Sequence, residues 1–380
     1  MTLEQNQNTK GEVRRLQETG RASFIISVPK QWVLDQGLRK GSPIHVWRQQ
    51  DESLLISAGG NAVKQRQGEA VIAIEPSLDP QSLARRMKAI YLTGVNLIVL
   101  KSNGSAIPSE IRDIVRDIVR GKLVGTEIVA ESSSEMVLRV LLSHSELSLE
   151  GALRRMVTIA DQTHKDSISA LCENKHDLAA QLMKNDDEAY RFGFYVERLL
   201  KEAVADLRLM KEIGLSSLQD CLEYGLIAKS VERIADHSAR IAEHTAELQE
   251  KLTPRLADRI KELSGFFSLQ FLEASESLFQ SDYSMADRVL ARQDRVDPLE
   301  LDIERQIYKQ NISLEGISRL RLILESLERI GDYGTDIAEI VLNVTVGLRG
   351  AVHVDPDLDP IIAHSGDDSV TPKAARVGGF

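Results

Sequence analysis

The sequence predicts a multidomain protein whose C-terminal part is all-α and whose first third mixes strands with short helices. The chain has 380 residues, which is enough for two to four domains. From residue 148 to about 348, apolar side chains recur at helical spacing. One acidic stretch at residues 231–243 is repeated at 327–339, 96 residues later. Together these features predict tandem helical bundles at the C-terminal end.

The repeated stretch carries the clearest functional pattern in the chain. Both copies read Glu-Arg-Ile-x-Asp followed by Ile-Ala-Glu, and they agree at seven of thirteen positions. On a helix Glu232 and Asp236 are one turn apart, and Glu328, Asp332 and Asp336 form a continuous column of carboxylates. Like charges at this spacing cost roughly 0.2–0.5 kcal/mol per pair on an exposed helix. The column therefore predicts a bound cation.

This doubled signature resembles the PhoU family of phosphate-uptake regulators. The resemblance implies a three-helix bundle in each half, here residues 148–247 and 253–348, with metal ions held by acidic motifs. It also implies a role in phosphate homeostasis. The bundles would then sense metal, phosphate held on that metal, or a partner protein such as a phosphate transporter component or a sensor kinase. Iron or zinc is the metal that the family favours, whereas carboxylate ligands alone also admit Mg, Mn or Ca.

A metal site in a bundle needs ligands from facing helices, and the helix before the second column supplies them. Asp294 and Asp297 are three residues apart and share a helix face. Arg329 is the cation beside the column, and we expect it to point away from the acidic face. The complete set of candidate metal ligands is Asp187, Glu232, Asp236, Asp294, Asp297, Glu328, Asp332 and Asp336.

The two halves are not equally acidic. When they are aligned, Tyr190 and Arg240 stand where the second half has Asp297 and Asp336. Arg240 lies one turn beyond Asp236, where it can supply a positive charge as an ion pair. We expect tighter metal binding in the second half. The alternative is that these acidic residues form ordinary salt bridges worth about 0–1 kcal/mol. This alternative has more support for the first copy than for the second.

Residues 12–57 predict a separate small domain. Turn residues and alternating side chains indicate two strands, a helix that starts after Pro29 and ends at Gly37, and two more strands. About 45 residues are too few for a stable core, so we expect a dimer. Residues 10–48 contain eight Lys and Arg residues against three acidic ones, whereas the whole chain has a net charge of −10. A basic dimer attracts the phosphate backbone of DNA, although Lys and Arg also protect strand edges.

The order of motifs in this domain resembles the SpoVT-AbrB DNA-binding domain. It includes Val-Pro-Lys at residues 28–30 and Gly-x-x-x-Gly at residues 37–41. The resemblance implies a dimeric swapped-hairpin β-barrel, in which two chains interlock their hairpins and present arginines to DNA. The candidate DNA contacts are Arg14, Arg15 and Arg21, followed by Lys30, Arg39 and Lys40.

Between the two regions, residues 69–142 alternate strands and helices and predict a small α/β module. This module has no phosphate loop, dinucleotide fingerprint or nucleophile elbow. Its basic side chains are interpreted as solvated helix faces, and the module as a spacer or a support for the dimer. Residues 1–11 and 351–380 are polar and predicted to be disordered.

Catalysis is not expected, because the sequence lacks a recognisable Ser-His-Asp or Cys-His set. A di-iron oxidase needs two Glu-x-x-His pairs, and only residues 173–176 provide one near the bundles. Cys172 and Cys221 lack metal-ligand spacing and suit the reduced thiols of a cytoplasmic protein. The most apolar run, residues 89–100, is too short and polar to span a bilayer.

The sequence therefore predicts a DNA-binding transcriptional regulator of phosphate uptake, with metal-binding bundles as its sensor. The alternative is an adaptor that docks on a phosphate ABC transporter or sensor kinase, with the N-terminal barrel serving only to dimerise. An antitoxin-like use of that barrel is disfavoured, because folded domains replace the toxin-binding tail.

Overall fold

The protein divides into two compact units, residues 1–66 and 67–380. The structure is a computed structural model that describes residues 12–19, 23–48, 52–58, 68–75, 78–104, 106–182, 187–292 and 296–348. The segments predicted to be disordered, residues 1–11 and 351–380, lie outside the described residues.

The first unit has the predicted order of strand, strand, helix, strand, strand. Its elements are β1 (Gln17–Thr19), β2 (Ser23–Ile25), α1 (Lys30–Asp35), β3 (Ile44–Arg48) and β4 (Leu54–Ala58). β1 pairs with β2 and β3 with β4, both antiparallel. The two pairs form separate sheets, so the described residues of one chain do not close a barrel.

Apolar side chains of this first unit are exposed in the single chain. Phe24 is 65% exposed, Val46 55% and Leu54 63%. No described residue before the α/β module is fully buried. An apolar surface of this kind is typical of interaction sites. The dimer of this unit stays a prediction.

The α/β module contains a four-stranded sheet with its helices packed on one face. Its elements are β5 (Glu69–Ile74), α2 (Pro80–Leu92), β6 (Leu97–Ser102), α3 (Ser109–Gly121), β7 (Thr126–Glu131) and β8 (Glu135–Val140). The strand order is β5-β6-β8-β7, and only the β5–β6 pair is parallel. Alternate strand residues such as Ile72, Leu100 and Leu138 are buried in one core with Leu83 and Val115 of the helices.

The remainder of the described chain is helical, as predicted. The first bundle comprises α4 (Leu149–Glu173), α5 (His176–Leu182), α6 (Asp187–Ala205), α7 (Leu207–Glu212) and α8 (Leu218–Glu247). The second comprises α9 (Pro254–Gln280), α10 (Tyr283–Leu290), α11 (Asp297–Tyr308) and α12 (Leu314–Leu348). Each bundle has the three expected longer helices, and the short helices α5, α7 and α10 are additional. No helix in the described ranges is long and apolar enough to cross a membrane.

Local capping explains where several of these helices begin and end. Ser217 and Asp220 form a capping box at the start of α8. Pro254 occupies the first turn of α9, where its missing N–H removes no helical hydrogen bond. Asn174 and Ser281 end α4 and α9 with φ values of 56° and 51°, the left-handed conformation typical of helix C-termini.

The two bundles share one apolar core that continues across both repeats. α8 and α12 run antiparallel, because Arg233 contacts Tyr333 at one level and Glu247 contacts Arg319 further along. Polar contacts link the other repeat-related pair, α4 and α9. There His164 Nε2 lies 2.8 Å from Ser264 Oγ. Burial lowers the pKa of this histidine to about 4. The interface between the repeats thus combines apolar packing with buried hydrogen bonds.

Candidate functional site

The acidic column of the second repeat lies on one half-exposed face of α12. Burial raises the pKa of Glu328, and the nearby Arg321 partly offsets that effect. Burial and the charge of Asp332 raise the pKa of Asp336, while Arg233 acts in the opposite direction. The carboxylates that the sequence placed in a column therefore do repel one another in the folded protein.

Another carboxylate, Glu300 of α11, lies near this face. Its pKa is raised to about 7, first by burial and then by the charges of Glu328, Asp297 and Asp332. These four carboxylates, two from α11 and two from α12, therefore form an acidic cluster. Glu300 was not among the predicted ligands, although its position three residues after Asp297 places both on the same helix face.

Two arginines lie at the border of the acidic cluster. Arg329 lies 3.2 Å from Asp332, so the expectation that it points away from the column is wrong. The i, i+3 spacing of the two residues allows this contact on the helix surface. Glu304 pairs with Arg321 at 2.7 Å and is directed toward that guanidinium. The cluster keeps an excess of negative charge at Glu300 and Glu328.

The donors of this cluster suit a metal that prefers oxygen ligands, since all of them are carboxylates. Among the described residues, no group of three His, Cys, Asp or Glu side chains converges tightly enough to hold an ion. The candidate ligand Asp294 lies outside the described residues. The metal prediction therefore rests on the type and the charge of the side chains.

The acidic residues of the first repeat have different partners. Glu232 pairs with Lys229 at 2.6 Å. Oδ1 of Asp236 is buried without a hydrogen-bond partner, and no ion pair to Arg240 forms within the described ranges. The predicted internal ion pair is therefore absent, because the Arg240 side chain lies exposed. The side chain of the remaining candidate, Asp187, lies outside the described part of the chain.

Comparison with known proteins supports the repeat. Residues 153–245 and 260–341 each match the family model described as PhoU domain. The helical region is therefore similar to two consecutive PhoU domains. The phosphate-specific transport system accessory protein PhoU homolog 1 of Thermotoga maritima is 24% identical over 204 residues, which cover 52% of this chain and 86% of that protein.

Two solved structures resemble the same region. One is the crystal structure of PhoU from Pseudomonas aeruginosa, with 21% identity and a TM-score of 0.47 over 52% of this chain and 96% of that one. The other is the phosphate transport system regulatory protein PhoU from Streptococcus pneumoniae, with 19% identity and a TM-score of 0.46 over 52% of this chain and 94% of that one.

The first PhoU domain is joined to the α/β module by a buried arginine. The guanidinium of Arg198 in α6 donates to the carbonyl oxygens of Tyr91 and Val95 at 2.6 and 2.9 Å, and to Oδ1 of Asn96 at 2.6 Å. It also pairs with Glu202 at 2.9 Å. The sequence did not predict this role, because nothing in it links Arg198 to the turn after α2.

The candidate DNA contacts lie in the first unit, outside the two PhoU matches. Arg14 pairs with Glu12 and keeps an exposed side chain. The other described candidates, Arg15, Lys30, Arg39 and Lys40, are exposed. Arg21 lies outside the described residues.

Proposed function

We propose that this protein regulates phosphate transport as an adaptor, with its PhoU domains docking on a component of a phosphate ABC transporter or on a sensor kinase. The observation that carries this proposal is the match of both halves of the helical region to the PhoU domain. The likeness to an accessory protein of a phosphate-specific transport system supports the same role. The chain spans most of that relative's length, so the proposal concerns the whole PhoU region.

The proposal includes a metal ion on the second PhoU domain. The mutual repulsion of Glu300, Glu328, Asp297 and Asp332 supports it, because a cation would relieve that repulsion. The first domain lacks two of the corresponding carboxylates, so we expect the second domain to bind metal more tightly. Phosphate held on this metal is the proposed signal that changes docking.

Binding of DNA by the first unit is the second candidate function. Two observations favour it: basic side chains are exposed over residues 12–48, and apolar side chains of the same unit are exposed as well. A dimer would place two such basic surfaces side by side and strengthen attraction to phosphate groups. In this case the PhoU domains would control transcription.

Complementation of a gene deletion separates the two functions. Phosphate uptake is measured over a range of external phosphate in cells that carry the wild-type gene, no gene, or a gene with Arg14, Arg15 and Arg39 changed to Ala. An adaptor restores regulated uptake equally well with the triple variant. A transcriptional regulator loses regulation with the triple variant and also loses its occupancy of promoters, as measured by recovery of bound genomic DNA.

Direct binding provides the second arm of this test. The purified transporter in detergent and the sensor kinase are each titrated with the full-length protein, with and without phosphate and zinc. Saturable binding to either one supports the adaptor. Absence of binding to both, together with loss of promoter occupancy in the triple variant, would overturn the adaptor proposal in favour of DNA binding.

A further inference from the structure

An apolar groove lies between α6 and α8 of the first bundle, with a volume of about 560 Å³. The apolar residues that line it include Val196 and Leu200 of α6 and Leu218, Leu222 and Leu226 of α8. The three leucines of α8 are 51%, 66% and 50% exposed. Apolar side chains that are exposed to this extent in one depression are typical of a binding surface.

The groove favours a short apolar occupant. Along α8 its lining extends from Leu218 to Glu232, which corresponds to about 21 Å at about 1.5 Å per residue. An extended chain advances about 3.3 Å per residue, so about six residues span this length. The charges at its rim are already paired, because Glu197 contacts Lys201 and Glu232 contacts Lys229. A charged segment would therefore gain little there.

The last helix ends at the level of this groove. α8 and α12 are antiparallel, with Arg233 against Tyr333 and Glu247 beside Arg319. Both contacts belong to one register, in which position 348 of α12 lies level with position 218 of α8. Because α12 ends at Leu348, the chain leaves the second bundle level with one end of the groove.

The sequence after α12 contains one short segment with the required chemistry. Residues 349–380 lie outside the described residues, and the adjacent Ile361 and Ile362 are their only isoleucines. Prolines at positions 356 and 360 oppose a helix and favour an extended chain. Residues 358–363 read Leu-Asp-Pro-Ile-Ile-Ala. They are mostly apolar, and in an extended conformation they match the length of the groove.

The connection between α12 and this segment is long enough to reach the groove. Leu358 is ten residues beyond Leu348, and ten extended residues reach about 33 Å. A segment on such a short tether has an effective concentration in the millimolar range. It therefore occupies the groove in preference to a free partner of similar affinity.

We propose that residues 358–363 occupy the groove between α6 and α8 of the same chain. Ile361 and Ile362 then cover the exposed leucines of α8. The segment acts as an internal cover, because any other protein that uses this groove must first displace it. This contact does not depend on whether the protein acts as an adaptor or binds DNA.

Photo-crosslinking in the full-length protein tests the contact. A benzophenone amino acid is placed at position 361, and chains labelled with nitrogen-15 are mixed with unlabelled chains. The proposal predicts cross-links within one chain that map to residues 193–204 or 218–232. Position 370, also apolar but outside the segment, is the matched control and should give far fewer such products. Cross-links mainly between differently labelled chains, or none to these residues, would overturn the proposal.

A peptide with the sequence of residues 354–365 provides an independent readout. Fluorescence anisotropy measures its binding to the full-length wild type and to a full-length variant with both Ile361→Asp and Ile362→Asp. The variant is expected to bind the peptide at least about 10-fold more tightly, because its own tethered segment no longer competes. Val370→Asp is the control and should bind the peptide as the wild type does.

A further substitution locates the peptide on the groove. Leu222→Asp, added to the variant with Ile361→Asp and Ile362→Asp, should abolish peptide binding. Leu322→Asp on α12, at the repeat position equivalent to Leu226, should leave it unchanged. Equal peptide affinity of the wild type and the double variant, or binding that survives Leu222→Asp, would overturn the proposal. Circular dichroism verifies that each variant is folded.

Discussion

Glu300 is a carboxyl group whose surroundings all oppose its ionised form. Its pKa is about 7 in the folded protein, against an ordinary value of 4.5, because of burial and three neighbouring carboxylates. An acid with a raised pKa destabilises the fold once it ionises. The free energy of unfolding is therefore expected to fall as the pH rises from about 4.5 to about 7, and to show no further loss from this group above that range.

Replacing this carboxyl group should remove the pH effect. Glu300→Gln is expected to be more stable than the wild type at pH 8 by about 1 kcal/mol, a figure reduced for solvent screening of a partly exposed group. Near pH 5 the difference should shrink, because the wild-type side chain is then largely protonated. Urea unfolding at both pH values measures it, with the exposed Glu339→Gln on α12 as control. An equal difference at both pH values would contradict the assignment.

Metal binding should act through the same residues. Excess zinc is expected to raise the melting temperature of the wild type at pH 7.5, since binding to the folded state alone stabilises it. The increase should be much smaller in Glu300→Gln and Glu328→Gln, whereas Glu232→Gln in the first repeat should retain it. Calorimetric titration gives the stoichiometry. Equally tight binding by both repeats would refute the predicted preference for the second.

Arg198 is the other residue whose role depends on partners distant in sequence. Arg198→Met leaves the carbonyls of Tyr91 and Val95 without their donor and Glu202 without its ion pair. Loss of one partner from a buried pair costs roughly 3–5 kcal/mol. Arg305→Met, the exposed equivalent in the second repeat, is the control and should change stability little. If the two variants lose the same free energy of unfolding in denaturant, the buried network of Arg198 contributes no additional stability.

At the scale of helices, α12 and α9 approach each other closely at Gly331. A Cβ atom added at Gly331 would lie 2.3 Å from the ring of Phe267. Gly331→Ala is therefore expected to destabilise the protein by about 1–3 kcal/mol through overpacking. Gly265→Ala on α9 meets nothing within 4 Å, so it should stabilise by up to about 1 kcal/mol through helix propensity. Thermal unfolding compares the melting temperatures of the two variants. A higher melting temperature for Gly331→Ala than for Gly265→Ala would contradict this packing.

Most helix boundaries were predictable, because capping residues and prolines are local signals. The starts of α8 and α9 carry such signals, the capping box of Ser217 and Asp220 and the proline at position 254. The short helices α5, α7 and α10 were not predicted. A helix of six to eight residues has too few turns to show a clear apolar period.

At the scale of the whole molecule, we expect a second copy to cover the apolar surface of the first unit around Phe24. Phe24→Asp should therefore remove one association step in sedimentation experiments, because a charge replaces an apolar contact. Association equal to that of the wild type would contradict this prediction.

The sequence alone was sufficient to predict the tandem repeat, its helices and the carboxylate column, because these features depend on the spacing of residues along the chain. The sequence also predicted the basic charge of the first unit, which follows from counting its charged residues. Only the tertiary structure brought Glu300 to the column and Arg198 to the turn after α2. These contacts depend on which faces of different elements meet, and the local sequence around each residue carries no signal of its distant partner.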